Sequence, residues 1–329
     1  MKIKKMLTFR ASSIGDSLMG KYLLENIRAA YPEVRCALVV SSRVGMIRDL
    51  FAAYPWIEVV EANKNPRALA SLFIRGHNDI VVTPYTGGVF PLVSKIVARL
   101  IAHTLIGYTD SSKLNRFLYT KIIPLVGRAR APRLLESDVL ETLGIPVSIE
   151  CPTFVHLPQP HLLERLGLQE KKYIVTHLFS GGDARGLSPK NRRELIHALV
   201  KVLPADVKLV LTGSNKERES LGKDFPPRVI SAQTSLQELA ALIDLSAGMV
   251  SLDTGAAHIA AHMRKPLIVL ASCVGVQWWS PDMYDSDVPS ALFTRLDVCA
   301  AGHDYSGYAK CLDTIDSDTV ARKARDIFL

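Results

Sequence analysis

The chain has 329 residues, 48% of them hydrophobic and 22% charged, enough apolar material for two domains of ordinary size. No apolar run reaches the ~18 residues that span a bilayer, and the nearest, Phe90 to Tyr108, is interrupted by Lys95, Arg99 and His103. The formal charge of +8 sits wholly in residues 1–150, which hold 20 Lys+Arg against 12 Asp+Glu, while residues 151–329 hold 20 of each.

The N-terminus, MKIKKMLTFR, is basic but lacks the apolar centre of a signal peptide, so a cytoplasmic protein is expected. Lys5 to Arg10 reads as a strand and Ser17 to Ala30 as a helix that stops at Tyr31-Pro32. Strands are expected at Cys36 to Ser41, Glu58 to Glu61, Asp79 to Thr83 and Thr104 to Tyr108. Helices are expected at Val44 to Tyr54, Arg67 to Arg75 and Phe90 to Ala102. This βαβα rhythm implies a parallel sheet covered on both faces. Basic residues recur at Lys113, Arg116, Lys121, Arg128, Arg130 and Arg133. They form either a solvated face or a surface for something anionic: a phosphorylated substrate, an acidic membrane or a nucleic acid. Nucleic acid is the weaker of these readings, since Phe117 and Tyr119 are the only aromatics among them.

A proline-rich stretch from Gly144 to Pro160 marks a linker, dividing the chain into domains at 1–155 and 156–329. The rhythm then restarts with strands at Tyr173 to Leu178, Lys208 to Thr212, Val229 to Ser231, Met249 to Leu252 and Pro266 to Ala271. Helices are expected from Pro189 to Leu203, from Ser235 to Leu245 and from Asp316 to Phe328. Ser235 with Glu238 spells a capping box. The five cysteines are odd in number, widely spaced and without a CxxC pair, which argues against a disulfide framework. Cys299, His303 and Cys311 could approach a metal, but their spacing is loose for a ligand set, and neither metal nor cofactor is expected.

Three strand ends carry polar residues of chemical interest. At Asp253-Thr-Gly255 a buried strand passes straight into a helix. The unpaired N–H groups there, the Thr254 hydroxyl and the bare backbone of Gly255 suit a phosphate, with His258 one turn on. An ordinary N-cap and a satisfied helical histidine read equally from the same residues. His258 and His262 have a zinc spacing, but Ile259 stands where a metalloprotease has its glutamate. Glu217, after the strand end at Gly213, is either a dipole-stabilised helix residue or a carboxylate for a ribose. Asp16, after the first strand, is either a helix N-cap or a base that takes a proton from a hydroxyl. Neither half carries GxGxxG, which disfavours a nicotinamide enzyme.

Together, SSIGDSL (12–18), the Thr234-Ser-Leu-Gln-Glu-Leu helix start, and DTGAAHIAA (253–261) followed by Lys265-Pro266 resemble the heptosyltransferases of glycosyltransferase family 9. The resemblance implies an α/β protein of GT-B arrangement, with two Rossmann-like domains facing across a cleft, the first for the acceptor and the second for the sugar nucleotide. It implies an inverting, metal-independent transfer of heptose from ADP-heptose to a lipopolysaccharide-core acceptor, an anionic glycolipid, at the cytoplasmic face of the inner membrane. On this reading Asp16 is the general base. Asp253, Thr254, Gly255 and His258 meet the sugar and pyrophosphate, Glu217 the ribose, and Thr234 the nucleobase. One departure stands out: the family's Lys-x-Trp-Pro reads Gly186-Leu-Ser-Pro189 here, so Arg185 is expected to supply the lysine's charge. That departure leaves open another nucleotide sugar or acceptor, or a non-catalytic protein that only binds them.

Overall fold

The computed structural model describes the chain apart from residues 1–2, 11–12, 42, 63–65, 84–90, 110–113, 125–131, 151–152, 223, 275–286, 300–301 and 304. Met1–Pro152 and Thr153–Leu329 form two compact units.

In the first unit six strands, β1 (Lys5–Arg10), β2 (Arg35–Val40), β3 (Ile57–Glu61), β4 (Asn78–Val82), β5 (Ala102–Tyr108) and β6 (Lys121–Ile123), pair in parallel in the order β3-β2-β1-β4-β5-β6. Its helices are α1 (Ile14–Ala30), α2 (Val44–Leu50), α3 (Pro66–Ile74), α4 (Leu92–Leu100), α5 (Asn115–Leu118) and α6 (Pro132–Leu143). The central strands are buried on both faces, so their apolar residues, Met6, Leu7 and Phe9 in β1 and Ile80 to Val82 in β4, do not alternate with exposed polar ones. Leu7, Phe9, Val39, Val81 and Leu105 make the core on one face.

The second unit repeats the plan. Strands β7 (Tyr173–His177), β8 (Lys208–Thr212), β9 (Val229–Ala232), β10 (Gly248–Leu252), β11 (Leu267–Leu270) and β12 (Ser290–Phe293) pair in parallel in the order β12-β11-β10-β7-β8-β9. Helices α7 (Leu162–Leu166), α8 (Pro189–Val202), α9 (Asn215–Glu219), α10 (Leu236–Leu245), α11 (Gly255–His262), α12 (Lys310–Asp313) and α13 (Ser317–Phe328) complete it. Helices α8 and α13 bury Leu195, Leu199, Val320 and Phe328 against Ile174, Leu209, Val250 and Ile268. Each such side chain contributes roughly 1.5–3 kcal/mol of burial. Gly248 is fixed by this packing, because a Cβ there would lie 2.3 Å from the Phe328 ring.

Both sheets thus have the doubly wound 3-2-1-4-5-6 order, whose direction reverses between β1 and β4 and between β7 and β10. The α/β fold expected from the βαβα rhythm is present. Most elements match their expected spans to within a residue or two. Two differences matter. Helix α1 starts at Ile14 rather than Ser17, because Ser13 caps it. Strand β6 and helix α6 were not expected from the sequence; both overlap its basic stretch. Of that basic stretch, Lys113, Arg128 and Arg130 lie outside the described residues.

Candidate active site

In doubly wound sheets ligands gather outside the carboxyl ends of the strands, where the order reverses. In the second unit that point lies between His177, at the end of β7, and Asp253, just past β10. Asp253 is half-buried, and burial raises its carboxyl pKa, an effect opposed by the positive charge of Arg185. Thr254 occupies the N-cap position of α11 in an extended conformation, yet its hydroxyl caps nothing. The hydroxyl lies 3.4 Å from the Ser251 hydroxyl. The N-cap alternative for this side chain therefore falls away, and the first-turn N–H groups from Gly255 onward keep their capacity to donate to an anion.

His258 stands one turn into α11, with Nε2 3.9 Å from Asp253 Oδ1. Desolvation pushes its pKa down to about 3, so at neutral pH it is uncharged and the contact is not an ion pair. His262 turns Nδ1 to the His258 carbonyl at 2.8 Å, so the pair at zinc spacing is not arranged as two ligands.

Glu217 is the third residue of α9. Its Oε2 accepts from the Ser214 N–H at 2.8 Å and the Ser214 hydroxyl at 2.7 Å, while Ser214 Oγ accepts from the Glu217 N–H. This is a complete capping box. Behind it lies His177, whose Nδ1 is 3.1 Å from the Thr212 hydroxyl and whose pKa desolvation lowers to about 4. Thr234 immediately precedes Ser235, which caps α10 in the expected box with Glu238.

Arg185 ends a short 3-10 helix, Asp183–Arg185, and is exposed. Gly186 beside it is buried, and a Cβ there would lie 3.1 Å from Ser180 Oγ and 3.4 Å from Arg192 Nη2. The position held by lysine in the family pattern is thus crowded. Arg192 does not replace that lysine, since its guanidinium is buried over the rings of Phe179 (5.0 Å) and Tyr308 (5.5 Å). Ser188, where the pattern has tryptophan, is the N-cap of α8. Arg185 is left as the exposed cation of this loop.

In the first unit Asp16 lies on the opening turn of α1. Ser13 is the N-cap, accepting from the Asp16 N–H at 3.0 Å and donating its hydroxyl to Asp16 Oδ2 at 2.6 Å. Asp16 is therefore not the cap but a carboxylate oriented by one. Nearby is a pair that sequence reasoning missed. Arg10 binds Glu136 through Nη1 to Oε1 at 2.5 Å and Nη2 to Oε2 at 2.8 Å, with both side chains buried. The Asp16 charge helps to raise the pKa of Glu136, after burial itself. Gly20 leaves room for Arg10, since a Cβ there would lie 2.6 Å from Arg10 Nε.

Residues 166–271 match the family model of glycosyltransferase family 9 (heptosyltransferase). In this segment the chain is similar to the family 9 glycosyltransferases. The match takes in Arg185, Glu217, Thr234 and the Asp253–His258 strand end, and it bears out the resemblance drawn from sequence motifs. Three solved structures share the fold along nearly the whole chain. A glycosyl transferase family 9 protein from Veillonella parvula is 17% identical at a TM-score of 0.76, covering 100% of this chain and 98% of its own. The E. coli ADP-heptose lps heptosyltransferase II is 17% identical at 0.73, covering 98% of each chain. The E. coli heptosyltransferase WaaC with ADP-2-deoxy-2-fluoro heptose is 16% identical at 0.69, covering 98% of this chain and 99% of its own. No curated protein matches the sequence. The fold is that of the GT-B glycosyltransferases.

Proposed function

We propose that this chain is an inverting family 9 glycosyltransferase that moves heptose from ADP-heptose to an anionic glycolipid acceptor of the lipopolysaccharide-core type. The observation that carries the reading is the β10–α11 junction. There a helix start without a side-chain cap, a Thr254 hydroxyl not used for capping, a desolvated Asp253 and the Arg185 charge converge at the switch point of the second sheet. The ADP and ADP-fluoroheptose named with the E. coli WaaC structures support the choice of donor.

On this account the reaction is a single displacement. Asp16 takes the proton of an acceptor hydroxyl as its oxygen attacks the anomeric carbon. The bond from that carbon to the diphosphate oxygen breaks, and ADP leaves with the bonding pair. Charge growing on the diphosphate is met by the N–H groups of α11, the Thr254 hydroxyl and Arg185. Neutral His258 offers a hydrogen bond rather than a charge. Asp253 meets the sugar hydroxyls, Glu217 the ribose, and backbone groups at Thr234 the nucleobase. No metal takes part in this step.

The basic first half suits a phosphorylated glycolipid. Helix α4 adds exposed Leu92, Val93, Ile96 and Leu100, and α5 adds exposed Phe117 beside Arg116. No described helix is long and apolar enough to cross a membrane. We read these side chains as a peripheral contact with an anionic membrane surface. The test of the reaction is to incubate Asp16→Asn with ADP-heptose and heptose-deficient lipopolysaccharide core, following product by mass spectrometry. Transfer should fall by about 10²–10⁴, with donor affinity unchanged within threefold of the parent. Transfer at near the parent rate would remove Asp16 from the role of base.

A further inference from the structure

On the second unit, outside the residues assigned to the donor, Cys273, Cys299, His303 and Cys311 come together. Their Sγ and ring-nitrogen atoms all lie within 4.8 Å of one another. Cys273 follows β11, Cys299 closes the 3-10 helix Leu296–Cys299, and Cys311 lies in α12, so chain segments far apart in sequence converge on one point. His303 Nδ1 lies 3.0 Å from Cys273 Sγ and 3.6 Å from Cys299 Sγ. Its Nε2 lies 2.7 Å from the carbonyl of Ala184. A ring that donates Nε2–H to a carbonyl keeps its lone pair on Nδ1, facing the sulfurs, as metal-binding histidines do. The Cys273 N–H points at Cys311 Sγ at 3.4 Å, a contact that favours a thiolate.

A tetrahedral ion with bonds of about 2.3 Å to sulfur and 2.0–2.1 Å to nitrogen sets its ligands about 3.6–3.8 Å apart. His303 Nδ1 at 3.0 and 3.6 Å from two of the sulfurs, with no pair of ligand atoms more than 4.8 Å apart, is close to that spacing. Thiols are weak donors and weak acceptors, so hydrogen bonding alone is a poor reason for three of them to surround one imidazole.

We propose that Cys273, Cys299, His303 and Cys311 bind one thiophilic divalent metal ion, zinc by the softness and tetrahedral count of the set, in a closed structural site. Binding converts three thiols to thiolates and releases three protons, leaving the imidazole neutral. The ion ties the end of β11 to the 296–313 segment, and that segment grips the Arg185 loop. His303 holds the Ala184 carbonyl, the Ala309 N–H donates to the Gly186 carbonyl at 3.1 Å, and the Ser188 N–H donates to Asp313 Oδ1 at 2.8 Å. The ion thereby braces the loop on which the proposed leaving-group cation stands. The metal site is independent of that catalytic reading; only the importance of the brace for transfer rests on it.

Metal content of the full chain, purified without a polyhistidine tag, is the test. Elemental analysis should find about one zinc per chain. Zinc should be lost in Cys299→Ser and in His303→Ala and kept in Cys36→Ser, whose thiol is buried in the first unit. Protein expressed with cobalt should show tetrahedral thiolate–cobalt absorption bands, a readout that needs no variant to fold. Chelator-treated protein should be cut by trypsin after Arg185 at least ten times faster than the metal-loaded form. Iron in place of zinc would overturn the choice of zinc. Metal-free protein, with these cysteines alkylatable or joined in a disulfide, would overturn the site itself, whatever donor panels show about transfer.

Discussion

Arg185 and Gly186 show how one position changes what its neighbours must do. Gly186 is buried, and a side chain there would press on the Ser180 hydroxyl, 3.1 Å from its Cβ position, so a lysine fits only if that hydroxyl gives way by a few tenths of an ångström. Gly186→Lys should therefore destabilise the protein by about 1–3 kcal/mol, seen as a lower urea midpoint, with no gain in transfer. Arg185→Ala should cost about 10²-fold in kcat if Arg185 stabilises the departing diphosphate. Equal kcat in Arg185→Ala and the parent would show that no charge at this loop is used. At the same scale, two desolvated histidines set a pH dependence. His258 and His177 have pKa values lowered to about 3 and about 4, against 6.5 in an unfolded chain. The unfolded state takes up protons first, so stability falls as pH drops below about 6.5. For each histidine the loss continues to its folded pKa, at about 1.4 kcal/mol per pH unit. Urea unfolding at pH 7.5 and 5.0 should show this loss, and His177→Gln should reduce it. A midpoint unchanged by pH would contradict the burial of these rings.

Among the elements, what could be read from the sequence followed from apolar runs and caps. Strand β1, strand β8 and the Ser235–Glu238 capping box of α10 lie where the sequence put them, because their signals are local. Helix α6 was not legible, since Pro132–Leu143 mixes charge into a weak apolar pattern and follows a basic stretch. The Arg10–Glu136 pair was lost with it, because a contact between β1 and α6 depends on tertiary placement. Cys273 was invisible for the same reason: only the fold brings the end of β11 to Cys299, His303 and Cys311. Helix α4 lies close to the expected span, Phe90 to Ala102. Through Val97 and Ala98 it joins the core beside β1, β4 and β5, but it also exposes Leu92, Val93, Ile96 and Leu100. An Ile96→Glu/Leu100→Glu variant should lose at least fivefold in sedimentation with vesicles containing anionic lipid while retaining donor affinity. Undiminished sedimentation would place any membrane contact elsewhere.

For the molecule as a whole, two copies of one doubly wound plan carry different chemistry at equivalent strand ends. The first presents a carboxylate oriented by Ser13, and the second presents N–H donors, a hydroxyl and a cation. The charge balance divides the same way, with the excess of +8 confined to residues 1–150. A base and an anionic acceptor on one unit, and a nucleotide sugar on the other, are the division of labour this asymmetry favours. Its central claim, that the second unit takes ADP-heptose, is tested most directly by calorimetry with ADP-heptose, ADP, UDP-sugars and GDP-sugars on the parent and on Asp253→Ala. The account predicts that ADP-heptose binds the parent at least tenfold more tightly than any UDP- or GDP-sugar, and that Asp253→Ala weakens it tenfold or more. Preference for a UDP- or GDP-sugar, or ADP-heptose affinity unaffected by Asp253→Ala, would contradict it.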